Sequence, residues 1–170
     1  MHARTACGIA DRRIVTGFAE VSEILWRERE LLDMLLFKLE SEQLLLKTGD
    51  VRWLSRATRE IELVLEQLRL TELTRALEIA ALATSLHLPP DPTLATLAEV
   101  APSPWGDLFR AHRAAFVSLV ADVTDFAEAN RQALEEACRT TEERLIALGA
   151  EELAGFGFPR QVASWDRQSS

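Results

Sequence analysis

The feature that most limits the fold is a run of helical apolar spacing from Phe18 to Leu86, interrupted once at Lys47-Thr48-Gly49-Asp50. In its first half Phe18, Val21, Leu25, Leu32, Leu35, Leu39 and Leu46 recur in steps of three, four and seven, which puts them on one face of an α-helix. Ile24, Leu31, Leu36 and Leu45 widen that face beyond the seam a single partner helix covers, so it needs more than one neighbour. Roughly 30 residues at about 1.5 Å each make a rod about 45 Å long. Gly49 is placed as a C-terminal stop and Asp50 as an N-cap, so a second helix starts near Val51 and returns antiparallel to the first. Its seam is Leu54, Ala57, Ile61, Val64 and Leu68, then Leu73, Ala76, Leu77 and Ala80.

Pro89, Pro90 and Pro92 end that second rod, because proline lacks a backbone donor and restricts the residue before it. A short helix from Thr93 to Val100 fits in the crossover that follows. Ser103-Pro104 is a helix start, and from Trp105 through Leu108, His112, Leu119, Phe126 and Leu134 to Leu148 the apolar steps average close to the α-helical period, with Gly149 as the stop. The fold class predicted is all-α: an elongated antiparallel bundle of three long helices with a Pro-rich crossover and a flexible C-terminal tail. By this reading residues 1–17 are a flexible N-terminal extension, 18–149 the helical domain, and 150–170 a flexible tail carrying Phe156, Phe158 and Trp165. The crossover is long enough to let the third helix run in either direction.

Composition narrows the function. With 19 Lys and Arg against 27 Asp and Glu, the net charge of −8 disfavours binding to a phosphate backbone, whose affinity comes largely from Lys and Arg. Cys7 and Cys138 have no metal-ligand spacing and read as reduced thiols. No segment reads as a signal peptide and none approaches the roughly 20 apolar residues of a membrane span, so a cytoplasmic location is expected. His2, His87 and His112 are scattered, and neither the Glu-x-x-His pairs of a di-iron bundle nor a Gly-rich phosphate loop is present. The chain is therefore expected to be no enzyme and to need neither a metal nor ATP.

Three stretches carry a resemblance to a known family. They are Leu25-Trp26-Arg27-Glu28-Arg29-Glu30-Leu31-Leu32 with Leu35-Leu36-Phe37-Lys38-Leu39-Glu40 and Arg52-Trp53-Leu54-Ser55-Arg56-Ala57-Thr58-Arg59-Glu60, then Glu72-Leu73-Thr74-Arg75-Ala76, then Asn130-Arg131-Gln132-Ala133-Leu134. Over roughly residues 18 to 149 the chain resembles the FlgN-type flagellar export chaperones, in an actinobacterial style. The resemblance implies a cytoplasmic flagellar type III secretion chaperone that grips the C-terminal amphipathic helix of hook-filament junction (hook-associated) proteins and keeps them unassembled before export. It also implies that the grip lies largely in the C-terminal helical region. The chain differs from shorter members of that family in its N-terminal extension and its aromatic tail.

Within that implied function Leu119, Val123, Phe126, Ala127, Leu134 and Ala137, with Phe116 and Val120 on the margin, form the expected client-binding surface, although ordinary core packing has the same spacing. Asn130 falls on the same seam and has two readings: a buried amide that fixes helix register, or a hydrogen bond to the client helix. Arg52, Arg56 and Arg59 line one face of the second helix near Trp53 and Arg69; they read either as solvated partners of Glu60 and Glu62 or as a docking patch for the export gate or its ATPase stalk. Phe156, Phe158 and Trp165 read as a linear motif that docks at the export gate or covers the empty groove. The competing function is a self-associating coiled-coil scaffold, for which the same seams allow a homodimer, or a helical regulator that sequesters a partner.

Overall fold

The computed structural model of the chain describes the backbone of residues 3–155 and the side chains of residues 12–149 other than Val51. Among these residues the structure is all-helical, in the order α1 (Ala3–Thr48), α2 (Val51–Leu86), α3 (Leu94–Val100) and α4 (Trp105–Gly155). Two compact units divide the chain, Met1–Asn130 and Arg131–Ser170, with the boundary inside α4.

The turn between α1 and α2 is built as its residues require. Gly49 takes φ +70°, a conformation a Cβ would strain. Its N–H donates to Leu46 O at 3.3 Å and the Asp50 N–H to Leu45 O at 3.1 Å, the paired bonds of a Schellman stop. Asp50 stands at the start of α2 as expected, but its carboxylate accepts no capping bond. The far end of α2 closes in the same way one step before the prolines act: His87 is left-handed at φ 57° and the Leu88 N–H reaches Ala83 O at 2.9 Å. The short helix expected in the next stretch forms, capped by Thr93 Oγ1 accepting from the Thr96 N–H at 3.2 Å.

Two helices are longer than their patterns predict. α1 begins at Ala3, fifteen residues before Phe18, and Ile14, one turn upstream of Phe18, packs on the same core. α4 passes through Gly149 to Gly155. A glycine stops a helix by adopting the left-handed conformation, as Gly49 does; among the described residues Gly49 is the glycine with positive φ, and Gly149 is an ordinary helical residue.

Within Met1–Asn130, partners rise along α1 as they fall along α2: Gly17 lies against Leu82, Glu28 pairs with Arg75, Lys38 with Glu60, and Glu42 with Thr58. The two helices are therefore antiparallel. Phe18 meets Phe109, Trp26 meets His112, and Leu39 and Glu42 meet Asn130, so the first half of α4 runs in the direction of α1. Two apolar clusters hold this unit. One joins Phe18, Val21 and Leu25 to Ile79, Leu82, Phe109 and the α3 residues Leu97 and Ala98. The other joins Leu31, Leu35 and Leu39 to Ile61, Val64 and Leu68.

Between the clusters the seams turn polar. Glu28 and Arg75 form an ion pair at 2.9 Å, off the line of a good hydrogen bond. Burial pushes the Glu28 carboxyl above its ordinary value, against the lowering influence of Arg75. On α4 His112 is 1% exposed and neither ring nitrogen has a hydrogen-bond partner. Its ring stands edge-on to Trp26 at 4.8 Å and stacks on Phe116 at 6.1 Å. Burial, with Arg29 adding like charge, holds the imidazole below its ordinary pKa, so it sits neutral.

In the second unit the described part of α4 is solvated. Arg131 pairs with Glu135 and Arg139 with Glu136 one turn apart, while Leu145, Ile146 and Leu148 are exposed.

Candidate functional site

The α4 surface expected to hold a client separates into two kinds of position. Phe116 packs partly buried against the first apolar cluster, and Val123 and Phe126 pack against the second. Leu119 is likewise half-buried. These residues face the protein's own core, because α4 supplies the extra neighbour that the broad face of α1 requires. Val120, 50% exposed, and Ala127 lie on an open strip beside that seam. The strip is completed by two residues that the seam pattern does not contain, Val117 and Ala121, which with Phe116, Val120, Thr124 and Asp125 line a shallow apolar depression. A helical-wheel reading finds the buried stripe; the exposed Val117 and Val120 next to it were detectable as two valines outside the period. Leu134, half-buried, and Ala137, exposed, belong to the second unit, where Leu145, Ile146 and Leu148 are bare.

Asn130 is committed within the molecule. Its Nδ2 donates to Leu39 O at 2.8 Å and to Glu42 Oε2 at 3.1 Å, and Thr58 Oγ1 donates to Glu42 Oε1 at 2.7 Å. This chain of bonds links α4, α1 and α2 at one level and fits the register reading. The Asn130 Oδ1 is buried without a partner.

The arginine stripe on α2 is exposed, and its members differ. Arg59 pairs with Glu62 at 3.0 Å, the solvated i,i+3 contact expected of such a residue. Arg56 Nε binds Glu60 at 3.2 Å, Lys38 of α1 binds the other oxygen of Glu60 at 2.7 Å, and Arg52 lies 4.8 Å above the Trp53 ring. Lys38, Arg56, Glu60 and Trp53 line a cleft together with Ser41, Leu45 and Ala57. Lys38 was the residue that sequence reasoning missed, since it comes from the other helix. Phe156, Phe158 and Trp165 lie outside the described residues.

Among the described residues no group of three or more His, Cys, Asp or Glu is gathered to hold a metal. None of the described helices is long and apolar enough to cross a membrane. What remains is an acidic helical protein whose distinctive surfaces are apolar strips on long helices.

Comparison with known families agrees with that character. The family model described as FlgN protein matches residues 17–153. The chain belongs to the FlgN family. FlgN proteins are chaperones of flagellar export and assembly, and the family is not an enzymatic one. The match begins one residue before Phe18 and ends in the last turn of α4, so it takes in both clusters and the polar layer between them. No curated protein and no solved structure matches the chain.

Proposed function

We propose that this FlgN-family protein is a cytoplasmic type III export chaperone for hook-filament junction proteins, holding a C-terminal amphipathic helix of the client on α4 until export. The architecture that serves this is a bundle of three long helices with the Pro-rich stretch as its crossover. The observation that carries the reading is the apolar strip Val117, Val120 and Ala121 on an α4 whose other seam is already spent on the core. In the second unit, taken by itself, Leu145, Ile146 and Leu148 are bare apolar residues. A guest helix that buries three or four large apolar side chains gains about 1.5–3 kcal/mol from each before association costs, which supports reversible binding of micromolar strength or better. Ala127, exposed beside the strip, is a small position that lets such a helix approach, and Leu134 and Ala137 are proposed as client contacts on the second unit by itself. Phe116, Leu119, Val123 and Phe126 support the strip from beneath.

Co-expression with each hook-filament junction protein of the same genome, followed by size-exclusion chromatography with light scattering, tests the proposal. A defined complex that disappears when the client's C-terminal helix is deleted is the expected result. A self-assembled species with no client bound would replace the proposal with a homomeric scaffold.

A further inference from the structure

On α1, beside the stripe that meets α4 through Trp26, Leu39 and Glu42, a second stripe faces α2 and is only partly covered by it, Leu31 being its buried member. Ile24, Leu31, Met34, Lys38 and Leu45 follow one another in steps of three, four and seven, so they share one side of the helix. Across from them on α2 stand Leu70, Leu63, Glu60, Arg56 and Trp53, in the order antiparallel pairing demands. Three depressions that follow one another along the hairpin make this a single groove, from Ile24 and Thr74 at one end to Leu45 and Trp53 at the other. At about 1.5 Å per residue it is about 30 Å long, the length of roughly six helical turns. Its apolar walls are bare: Leu70 is 57% exposed, Leu63 51% and Met34 48%.

The charges along this groove are not evenly placed. At the end near Ile24, Arg27 is matched by Glu30 at 3.7 Å. At the tip end Lys38 and Arg56 line the cleft with Trp53 and one carboxylate, Glu60, and Arg52 lies over the Trp53 ring. In a chain of net charge −8 this is a local excess of cations. Glu60 is the one carboxylate that the cleft already holds: its two oxygens are taken separately by Lys38 and Arg56, whose hydrogen bonds keep the carboxyl below its ordinary pKa, and three cations around one carboxylate leave a net positive tip. Arg52 is exposed, and its guanidinium carbon lies 4.8 Å from the centroid of the Trp53 ring, which itself lines the cleft.

We infer that this groove is a second docking surface, separate from the α4 strip, and that its occupant is an acidic amphipathic helix of a partner protein, laid with its apolar side on Leu63, Leu70 and Met34 and its carboxylates over the Lys38, Arg52 and Arg56 tip. Burial along the walls supplies affinity, and the tip sets direction, since at the other end Arg27 is already matched by Glu30 and there is no comparable excess of cations. The inference narrows the docking role proposed for the arginine stripe to Arg52 and Arg56, joined by Lys38; Arg59 is left to Glu62. Client capture on α4 is not needed for it.

The test uses the full chain and two synthetic amphipathic helices of about six turns, identical except that one carries Glu and the other Lys at its flanking positions. Binding is read by fluorescence anisotropy at low and high salt. The expected result is that the Glu helix binds, that the Lys helix binds about tenfold or more weakly, and that raising the salt narrows the gap. Arg52→Glu combined with Arg56→Glu removes the preference while leaving the circular dichroism spectrum unchanged, and Leu70→Glu weakens both peptides. Equal binding of the two peptides, or no binding of the Glu helix, overturns the inference. So does a concentration-dependent dimer abolished by Leu63→Glu, which would make the occupant a second copy. Co-purification of a junction protein by the Arg52→Glu/Arg56→Glu variant is expected to persist, whereas Val120→Asp is expected to abolish it, so the two docking surfaces fail separately.

Discussion

Arg75→Leu isolates the polar layer between the two apolar clusters. In the native protein the Glu28 side chain is 9% exposed and its partner Arg75 32%, with 2.9 Å between them. Removing the cation leaves a carboxylate almost out of water beside Glu72, whose like charge already raises its pKa. Breaking a buried pair in this way costs about 3–5 kcal/mol, and the exposed side of Arg75 places this case near the lower end, at about 3 kcal/mol. With a urea slope of about 2 kcal/mol per molar, the unfolding midpoint followed by circular dichroism falls by about 1.5 M. The deficit is also pH-dependent with a definite sign. The folded protein keeps the Glu28 proton to a higher pH than the unfolded chain does, so this group lowers stability as pH rises from 4.5 through its folded value. Without Arg75 the folded value rises further, and the loss is smaller near about pH 4, where the carboxyl is neutral, than at about pH 7. Glu28→Leu combined with Arg75→Leu removes the stranded charge and returns stability to within about 1 kcal/mol of the parent. An Arg75→Leu variant as stable as the parent, or equally impaired at both pH values, would refute the assignment of Glu28 as a buried charge held by this pair.

Other substitutions test the remaining elements. His112→Phe removes two unpartnered ring nitrogens from between Trp26 and Phe116 and is expected to raise stability by about 1 kcal/mol. The parent should lose stability as pH falls below 6.5 toward the lower folded pKa of His112, and urea melts at about pH 7.5 and pH 5.5 should show that this limb is flatter in the variant. Phe126→Asp, aimed at the client surface by sequence alone, instead strikes the second apolar cluster and is expected to cost about 2–4 kcal/mol in thermal or urea unfolding; Val120→Asp should leave the melt unchanged and weaken client capture. Gly106→Ala puts a Cβ 2.7 Å from the Ala98 carbonyl oxygen, a backbone atom, so the α3–α4 junction must shift and a loss of about 1–3 kcal/mol is expected in the same assay.

The helices were legible in the sequence because their periodicity is long and their punctuation is specific. The α1–α2 turn could be placed to the residue, since glycine accommodates the left-handed conformation there without strain. Helix lengths were harder to read: upstream of Phe18 the described residues that pack on the core include Ile14 and Gly17, too few to make an apolar stripe in the sequence, and Gly149 looks like Gly49 in sequence while lacking its left-handed backbone. The candidate surface on α4 was half legible. Periodicity locates the buried stripe, but a stripe facing a core and one facing a guest have the same spacing. Only knowledge of where α1 sits assigns Val123 and Phe126 to the first and leaves Val120 for the second. The tip cleft was illegible for a different reason, because Lys38 and Arg56 come together through the antiparallel register and no local pattern in either helix contains both.

That register has a consequence for how the two proposed surfaces would work together. α1 is the shared element: one stripe of it seats α4 and the next forms the wall of the open groove. A helix docking in the groove would meet Met34 and Leu63, while Asn130, Leu39 and Glu42 fix α4 on the other side through hydrogen bonds the docked helix would not touch. Occupancy of one surface therefore has no steric reason to exclude the other. If both are used, the coupling free energy between them should be small, and the affinity of the acidic helix should be the same for the free chaperone and the chaperone–client complex. A ratio of affinities beyond about fivefold, which corresponds to roughly 1 kcal/mol of coupling, would mean that α1 itself changes between the two states.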